Sequence, residues 1–394
     1  MDLLYRLSDK VKHKSMLHIN STRFGGGVAE MLGRLVPLLN DLGVQATWEV
    51  IQGSDEFFAV TKAFHNALQG RDQMISEQMY QTYLECNREN AKSLLFDADM
   101  IVVHDPQPAA LIEYGTRLGK WTWRCHVDIS HPVRRVWRFL RNYVSKYDAA
   151  IFSLPTFAQR LPIPQFVVNP SIDPLSDKNR ELSTQEIDTI LTTLDIPRDK
   201  PILLQVSRFD HFKDPVGVIQ AYRLVKKHND CRLILAGGLA ADDPEGETIL
   251  AEVKEVAGQD PDIHILELPP DSNVEINALQ RAATIVLQKS IKEGFGLTVS
   301  EAMWKGKPVI GGDTGGITVQ ILYYRTGYTV SSVEGAAFRI RYLLNNPDLA
   351  RKMGEDSREY VRRNFLITRH LTDYLTLMAS LTDGWQPTEI FPFS

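Results

Sequence analysis

The feature that most constrains this sequence is a regular alternation of short apolar runs with helical patterns. Apolar runs rich in β-forming residues lie at 16–20, 44–51, 100–104, 121–127, 149–152 and 166–168. Between the first two runs, residues 28–42 keep the three-and-four spacing of apolar positions that is typical of a helix buried on one side, and Gly43 follows as a C-terminal cap. Strands that alternate with helices predict βαβ units and a parallel sheet.

A second series of the same kind follows in the other half of the chain. Its apolar runs lie at 202–206, 231–236, 263–268, 284–287 and 308–310. Residues 162–178 separate the two series, and their many proline, serine and aspartate residues leave few helical or paired-strand options. Because 394 residues exceed the size at which one core stops growing, we expect an α/β protein of two Rossmann-like domains.

The expected domains are residues 1–170 and 171–367, with the C-terminal stretch 368–394 packing back on the first domain. The aromatic residues of the end of the chain, Trp385, Phe391 and Phe393, are typical of a segment that docks.

Composition argues against several classes of protein. A net charge of −5 with scattered lysine and arginine argues against a nucleic-acid partner. The three cysteines are far apart, which excludes a disulfide framework or a CxxC metal site. No stretch approaches the roughly 18 apolar residues of a membrane span, and no leader pattern opens the sequence. We therefore expect a cytoplasmic protein without a membrane partner.

A glycine run follows the first predicted strand. Gly25, Gly26 and Gly27 lie in the segment 23–30, just before the first helix. Glycines let the backbone approach a ligand closely, and a helix N-terminus attracts phosphate. The same run is equally typical of a tight strand-to-helix turn.

Two cations follow the first strand of the second series. Arg208 and Lys213 lie where ligands of open α/β sheets bind, beyond the carboxyl end of a strand. A guanidinium and an ammonium together can neutralise a diphosphate. The alternative for each residue is a solvated surface charge.

The segment 292–303, which reads KEGFGLTVSEAM, contains two glutamates. Gly294 and Gly296 are expected to keep Glu293 off the helix that carries Glu301, so that one carboxylate can meet a sugar and the other a ribose. For Glu301 there is a structural alternative, since Thr298 and Glu301 have the spacing of a helix capping box.

Two polar motifs end neighbouring strands of the first series. His104, Asp105 and Gln107 follow one strand, and His126 and Asp128 follow the next. Strand ends of this kind face the expected cleft, which favours an acceptor pocket, although a lone histidine is more often structural. No metal-binding motif accompanies them.

At these residues the chain resembles the retaining glycosyltransferases of family 4, which include sucrose, glycogen and trehalose synthases. The resemblance is closest to the trehalose glycosyltransferring synthases, through the strings at 18–30, 48–51, 64–70 and 104–111. It implies a GT-B fold, in which two Rossmann-like domains face a central cleft. It also implies reversible glucose transfer from an NDP-glucose (UDP-, ADP- or GDP-glucose) to glucose, giving α,α-trehalose.

Matching positions imply roles at the donor. Arg208 and Lys213 hold the diphosphate, Glu293 holds the donor glucose, and Glu301 binds the ribose. The rest of the donor-binding set comprises Gly25, Gly26, Gly27, Gly294, Phe295, Gly296, Leu297 and Thr298.

The resemblance also implies an acceptor side. The backbone carbonyl of His126 lies near the anomeric carbon of the donor, and the acceptor is surrounded by His104, Asp105, Gln107 and Asp128. No cofactor is tightly bound, Mg²⁺ at most stimulates the reaction, and the partners are small sugars, with a homodimer left open. One departure from the family is 322–325, LYYR, where relatives carry an acidic-glycine turn near the nucleotide.

Several alternatives stay open. A trehalose phosphorylase uses inorganic phosphate in place of NDP, and a sucrose synthase-like enzyme or a nucleotide-sugar 2-epimerase can share the fold. The alternative that is not an enzyme is a two-lobed sugar-binding protein. Retention itself has two routes, and we favour front-face transfer over a covalent intermediate on Asp128.

Overall fold

The computed structural model of the chain describes residues 2–23, 26–238 and 245–384. Its strands are β1 Ser15–Asn20, β2 Gln45–Val50, β3 Met100–His104, β4 Lys120–Cys125, β5 Ala149–Phe152, β6 Gln165–Val167, β7 Ile202–Val206, β8 Arg232–Gly237, β9 Ile263–Glu267, β10 Ile285–Gln288, β11 Val309–Gly312 and β12 Gly327–Val330.

The helices alternate with these strands. They are α1 Asp2–Val11, α2 Gly26–Asp41, α3 Asp55–Leu68, α4 Glu77–Ser93, α5 Arg134–Val144, α6 Thr184–Thr193, α7 Pro215–Lys226, α8 Glu245–Ala257, α9 Asn273–Ala282, α10 Leu297–Trp304, α11 Ile317–Gln320, α12 Val333–Leu344, α13 Pro347–Asn364 and α14 Ile367–Asp383. None of the described helices is both long and apolar enough to cross a membrane.

The chain divides into two compact units. Unit 1 combines residues 1–170 with 367–394, and unit 2 is 171–366. In the described part of the chain each unit holds one six-stranded parallel sheet, in the order β2-β1-β3-β4-β5-β6 in unit 1 and β12-β11-β10-β7-β8-β9 in unit 2. The predicted fold class, two Rossmann-like α/β domains of the GT-B type, is confirmed.

The core of unit 1 takes in both ends of the described chain. Leu4 and Leu7 of α1 are buried in one cluster with Leu371 and Leu375 of α14. Because these leucines recur every three or four residues, each helix buries one face and leaves the other in water. The predicted docking of Trp385, Phe391 and Phe393 lies outside the described residues.

Local rules account for the ends of several elements. The helix predicted at 28–42 is α2. Gly43 follows it with a φ of +86°, and the Gly43 amide donates to Asn40 O at 2.9 Å. The strand predicted at 121–127 is β4, which ends at Cys125, so that His126 already belongs to the following loop.

Two elements carried too weak a signal to be predicted. The strand β12 has four residues and begins with Gly327, where a Cβ would lie 2.3 Å from Val309 O. The helix α1 has ten residues, of which Leu4, Leu7 and Val11 face the core. Short elements like these are decided by tertiary packing more than by local pattern.

Candidate active site

In unit 2, the predicted donor residues lie at one edge of the sheet. Strands β7 and β10 are parallel neighbours, with Leu203 opposite Ile285. Arg208 and Lys213 follow β7, and Glu293 follows β10. Because the carboxyl ends of parallel strands meet at one edge, residues far apart in sequence come together where open α/β sheets bind ligands.

Lys213 and Glu293 form an ion pair at this edge. Lys213 Nζ lies 2.6 Å from Glu293 Oε2, and the side chains are only 18% and 8% exposed. Ser290 Oγ donates to the same oxygen at 3.1 Å, and Gln288 Nε2 lies 3.4 Å from it. A charge pair shielded from water is electrostatically stronger than an exposed one, and removal of either partner leaves an uncompensated charge.

Arg208 differs from Lys213 in its exposure. Its side chain is 52% exposed and its guanidinium lies 3.6 Å from a carboxylate oxygen of Asp210. Asp210 also accepts a hydrogen bond from Phe212 N at 2.7 Å, which fixes the turn that leads to Lys213. A guanidinium in this setting is accessible to an anionic ligand.

Two glycines shape the backbone beside Glu293. Gly296 has a φ of +79° and is the N-cap of α10, so the glycines do keep Glu293 off that helix. Gly315 has a φ of +50°, and a Cβ there would lie 1.7 Å from Glu293 O. The segment 315–316 therefore packs against the backbone of Glu293, where only glycine fits.

Gln320 also holds this turn, although no sequence pattern pointed to it. Its Nε2 donates to Phe295 O at 2.6 Å and to Gly316 O at 3.0 Å, while Gly316 N donates to Gly294 O at 2.9 Å. The carbonyl groups of the turn are thereby occupied, and the amides of Leu297 and Thr298 begin α10, where a helix N-terminus favours negative charge.

The capping-box alternative for Glu301 is wrong. The N-cap of α10 is Gly296, and Thr298 lies inside the helix with its hydroxyl donating to Gln288 Oε1 at 3.1 Å. Glu301 is buried, and its Oε1 lies 3.9 Å from Lys178 Nζ. Its carboxylate therefore has a different role from closing the helix.

Lys305, the C-cap of α10, is a second buried charge that the sequence did not reveal. Its ammonium donates to Gln280 Oε1 at 2.7 Å, to Asn179 Oδ1 at 3.0 Å and to Glu301 O at 3.2 Å. Burial lowers the pKa of Lys305 to about 7. These bonds tie the segment that opens unit 2 to the helix of Glu301.

In unit 1, the two predicted acceptor motifs also end neighbouring strands. Strands β3 and β4 pair in parallel, with His104 opposite Arg124. His104 Nδ1 lies 2.9 Å from His126 Nε2. The structure adds His18 of β1, whose Nδ1 lies 3.0 Å from His104 Nε2, so that three imidazoles follow one another.

Asp105 links the two strand ends through its backbone and its carboxylate. It has a φ of +66°, and its Oδ1 accepts from His126 N at 2.8 Å. Its carbonyl oxygen accepts from Trp123 Nε1 at 2.9 Å. Burial raises the pKa of the Asp105 carboxyl to about 6, against the opposing effect of the His126 amide. Asp105 thus fixes the main chain of His126.

The remaining predicted acceptor residues make local bonds. Asp128 Oδ1 accepts from Ser130 N at 2.9 Å and from Ser130 Oγ at 2.6 Å, which forms a tight turn. Gln107 O accepts from Asn87 Nδ2 at 3.1 Å. These three bonds shape the loops beyond β3 and β4.

The glycine run is only partly described. Gly25 lies outside the described residues, whereas Gly26 and Gly27 form the first turn of α2. The helix therefore starts inside the run that was predicted to be a loop. Among the described residues, no three histidine, cysteine, aspartate or glutamate side chains are grouped to hold a metal ion.

Comparison with known proteins agrees with this two-unit arrangement. Residues 18–159 match the family "Trehalose synthase, N-terminal domain", and 186–360 match "Glycosyl transferases group 1". The trehalose synthase of Pyrococcus horikoshii is 48% identical over 95% of this chain and 92% of its own length. The chain belongs to the trehalose synthase family. A second family member, from Rubrobacter xylanophilus, is 43% identical over 96% of this chain and 93% of its own length.

Solved structures support the fold assignment. A UDP-forming α,α-trehalose-phosphate synthase from Burkholderia xenovorans, in complex with glucose-6-phosphate, superposes with a TM-score of 0.77 at 13% identity, covering 92% of this chain and 99% of that one. This likeness concerns the fold. His18, His104 and His126 lie in the match to the trehalose synthase N-terminal domain, and Arg208, Lys213 and Glu293 lie in the group 1 match. The protein is a glycosyltransferase related to trehalose synthases.

Proposed function

We propose that the protein transfers glucose from an NDP-glucose to glucose, forms α,α-trehalose with retention of configuration, and runs in reverse when NDP is abundant. The observation that carries this proposal is the 48% identity to a trehalose synthase over almost the whole of both chains. Arg208, Lys213 and Glu293 at the carboxyl ends of β7 and β10 supply the chemistry that the reaction requires.

In this proposal, unit 2 binds the donor. Arg208 is exposed enough to clamp a diphosphate, and Lys213 shares its charge between Glu293 and the phosphate nearest the sugar. As the bond to the sugar breaks, negative charge grows on that phosphate, and fixed cations stabilise it. Glu293 Oε1 accepts hydrogen bonds from donor glucose hydroxyls, and Glu301 binds the ribose.

The proposed transfer takes place on one face of the sugar. The bond between C1 of the donor glucose and the diphosphate oxygen breaks, and the bond between C1 and the acceptor hydroxyl oxygen forms on the same face. The departing diphosphate oxygen receives the proton of the acceptor hydroxyl, so the products are NDP and α,α-trehalose. His126 lies beside the donor sugar, and His104, Asp105 and Gln107 shape the acceptor side.

Asp128 is the alternative nucleophile for a double displacement. Both Ser130 donors bond its Oδ1, which lowers its nucleophilicity and favours front-face transfer. A glucosyl adduct on Asp128, trapped and located by mass spectrometry, would establish the covalent route.

We further propose that no cofactor is tightly bound, that Mg²⁺ only stimulates, and that the active form acts on small sugars as a monomer or homodimer in the cytoplasm.

The test incubates the purified protein with UDP-, ADP- or GDP-glucose and unlabelled glucose, and separates the sugars by chromatography. Trehalose that depends on both substrates is expected with at least one donor. The reverse reaction, trehalose with each NDP or with phosphate, separates the synthase from a phosphorylase. Glucose 1-phosphate formed only with phosphate, or turnover of the donor without acceptor, would overturn the proposal. Lys213→Met serves as the site variant and Lys352→Met, on an exposed part of α13, as its control.

A further inference from the structure

Three histidine side chains form a continuous row through unit 1, here called the histidine row: His18, His104 and His126. The two gaps between successive ring nitrogens measure 3.0 Å and 2.9 Å. His18 and His104 are completely buried, whereas His126, beyond the end of β4, is partly exposed. The row therefore connects the core of unit 1 with the loop proposed to meet the sugar.

All three rings are neutral near neutral pH. Burial lowers the pKa of His18 to about 3 and holds the pKa values of His104 and His126 well below their usual range. The nearby Arg124 guanidinium opposes a further positive charge on His104 and His126. A neutral imidazole has one N–H and one bare nitrogen.

The geometry then allows only two arrangements of the protons. Each gap holds one N–H, so every ring must donate in the same direction along the row. If His126 donates from Nε2, the last N–H lies on His18 Nε2, which is buried and has no hydrogen-bond partner among the described residues. If His18 donates from Nδ1, its Nε2 is a bare lone pair and the third N–H lies on His126 Nδ1.

The second arrangement is favoured. A buried N–H without an acceptor is rarer in proteins than an acceptor without a donor, and it loses the free energy of a hydrogen bond to water. The second arrangement also places the remaining N–H on the partly exposed ring, where a hydroxyl group or water can accept it.

We propose that His104 is a positioning residue that fixes His126 as its Nδ1–H tautomer, with His18 donating to the other ring nitrogen of His104, so that His126 presents a constant hydrogen-bond donor to a hydroxyl oxygen of the bound sugar. The sugar in this inference rests on the proposed function, whereas the tautomer does not. Asp105 Oδ1 accepts a hydrogen bond from His126 N at 2.8 Å and so fixes the main chain of His126. Ring and main chain of His126 are thus fixed separately.

The tautomer is measured by NMR on the full chain labelled with ¹⁵N-histidine. Long-range ¹H–¹⁵N spectra distinguish a protonated ring nitrogen from a bare one, and His126→Asn assigns the His126 signals by their loss. In the wild-type protein, Nδ1 of His126 should be protonated and Nε2 bare. A protonated Nε2 would overturn the inference, whether or not the protein makes trehalose.

Two substitutions of His104 separate its hydrogen bond from its volume. His104→Leu removes the donor to His126 and should give averaged signals of both His126 tautomers. His104→Asn places an amide N–H close to the former Nδ1, so the single tautomer should return. If His104→Leu does not fold, His104→Phe removes the same donor with a ring of similar size, and mixed His126 tautomers are again expected. His18→Phe leaves His104 Nε2 buried without a partner, so this nitrogen should stay bare and the His126 tautomer should persist. A single unchanged tautomer in a folded variant of His104, or mixed tautomers in His18→Phe, would contradict the proposal.

Activity provides a second readout. His104→Leu should lower kcat for trehalose formation about tenfold, the factor that corresponds to one lost hydrogen bond, and change KM for the donor less than about twofold. His104→Asn should recover most of kcat. His264→Leu, which removes a partly buried histidine from β9 of unit 2, is the control and should leave kcat unchanged. Equal losses in folded Leu and Asn variants would refute the proposal, because a general packing defect would then explain both.

Discussion

Replacing His18 with phenylalanine should make unit 1 less sensitive to acid. Burial lowers the pKa of His18 to about 3, whereas an exposed histidine of the unfolded chain titrates near 6.5. Between these values the unfolded state binds a proton that the folded state does not, so the free energy of unfolding falls as the pH falls. From pH 7 to pH 5, His18 alone should lower the free energy of unfolding by about 2 kcal/mol. Phenylalanine has a similar size but no titratable group, so His18→Phe should not show this loss.

The assay is urea unfolding at pH 7 and pH 5, followed by tryptophan fluorescence. Trp48, Trp121, Trp123 and Trp137 all lie in unit 1, so the signal reports mainly on that unit. The loss of stability between the two pH values should be about 2 kcal/mol smaller in His18→Phe than in the wild-type protein. His228→Gln, at an exposed position of unit 2, should behave as the wild type. Equal losses in His18→Phe and the wild-type protein would refute the reasoning.

Three further substitutions test other parts of the site. Burial raises the pKa of Asp105 to about 6, so in the wild type the free energy of unfolding falls as this group loses its proton between about pH 4 and 6. Asp105→Asn has no such proton to lose. Its free energy of unfolding should therefore fall by about 1 kcal/mol less than that of the wild type from pH 5 to pH 7 in the same urea assay. Glu293→Gln keeps the shape of the side chain but leaves the Lys213 charge without its partner, and should both lower kcat at least about tenfold and lower the melting temperature. Gly315→Ala should abolish turnover and lower the free energy of unfolding by more than about 2 kcal/mol, because the new Cβ would clash with Glu293 O. The control is Gly258→Ala, where φ is +65° but the space is open, and it should lower the free energy of unfolding by only about 1 kcal/mol. Equal losses in the two variants would contradict the clash.

The fold was largely predictable because its information is local. Apolar runs at 100–104, 149–152 and 202–206 coincide with β3, β5 and β7, since strands buried on both faces are continuous in sequence. The strand β12 and the helix α1 were missed because their few apolar residues become informative only when β11 or α14 lies beside them.

The candidate site was predictable in part. Strand ends and glycines pointed to Lys213, Glu293 and Asp105, which the structure does place at the carboxyl edges of the two sheets. The partners of these residues were not predictable, because Gln320 and Lys305 act through contacts with residues distant in sequence. His104 and His126 of the histidine row were selected as strand-end residues, whereas His18 was not, because a single histidine in an apolar strand such as β1 is ambiguous by itself.

The LYYR departure gives unit 2 a surface that the sequence did not suggest. Tyr324 has a φ of +68°, which a bulky residue rarely adopts. Arg339 lies over the rings of Tyr323, Tyr324 and Tyr328, at 5.4, 5.3 and 4.4 Å from their centroids. These cation–π contacts stabilise the turn.

Glucosyl transfer with retention is tested most directly by NMR of the product made from NDP-glucose labelled with ¹³C at C1 of the sugar. We expect a non-reducing disaccharide in which the labelled carbon is α-linked to C1 of the acceptor glucose, formed by the wild-type protein and strongly reduced in Lys213→Met. A β configuration at the labelled carbon would contradict retention. Label found only in free glucose or glucose 1-phosphate would contradict the transfer itself.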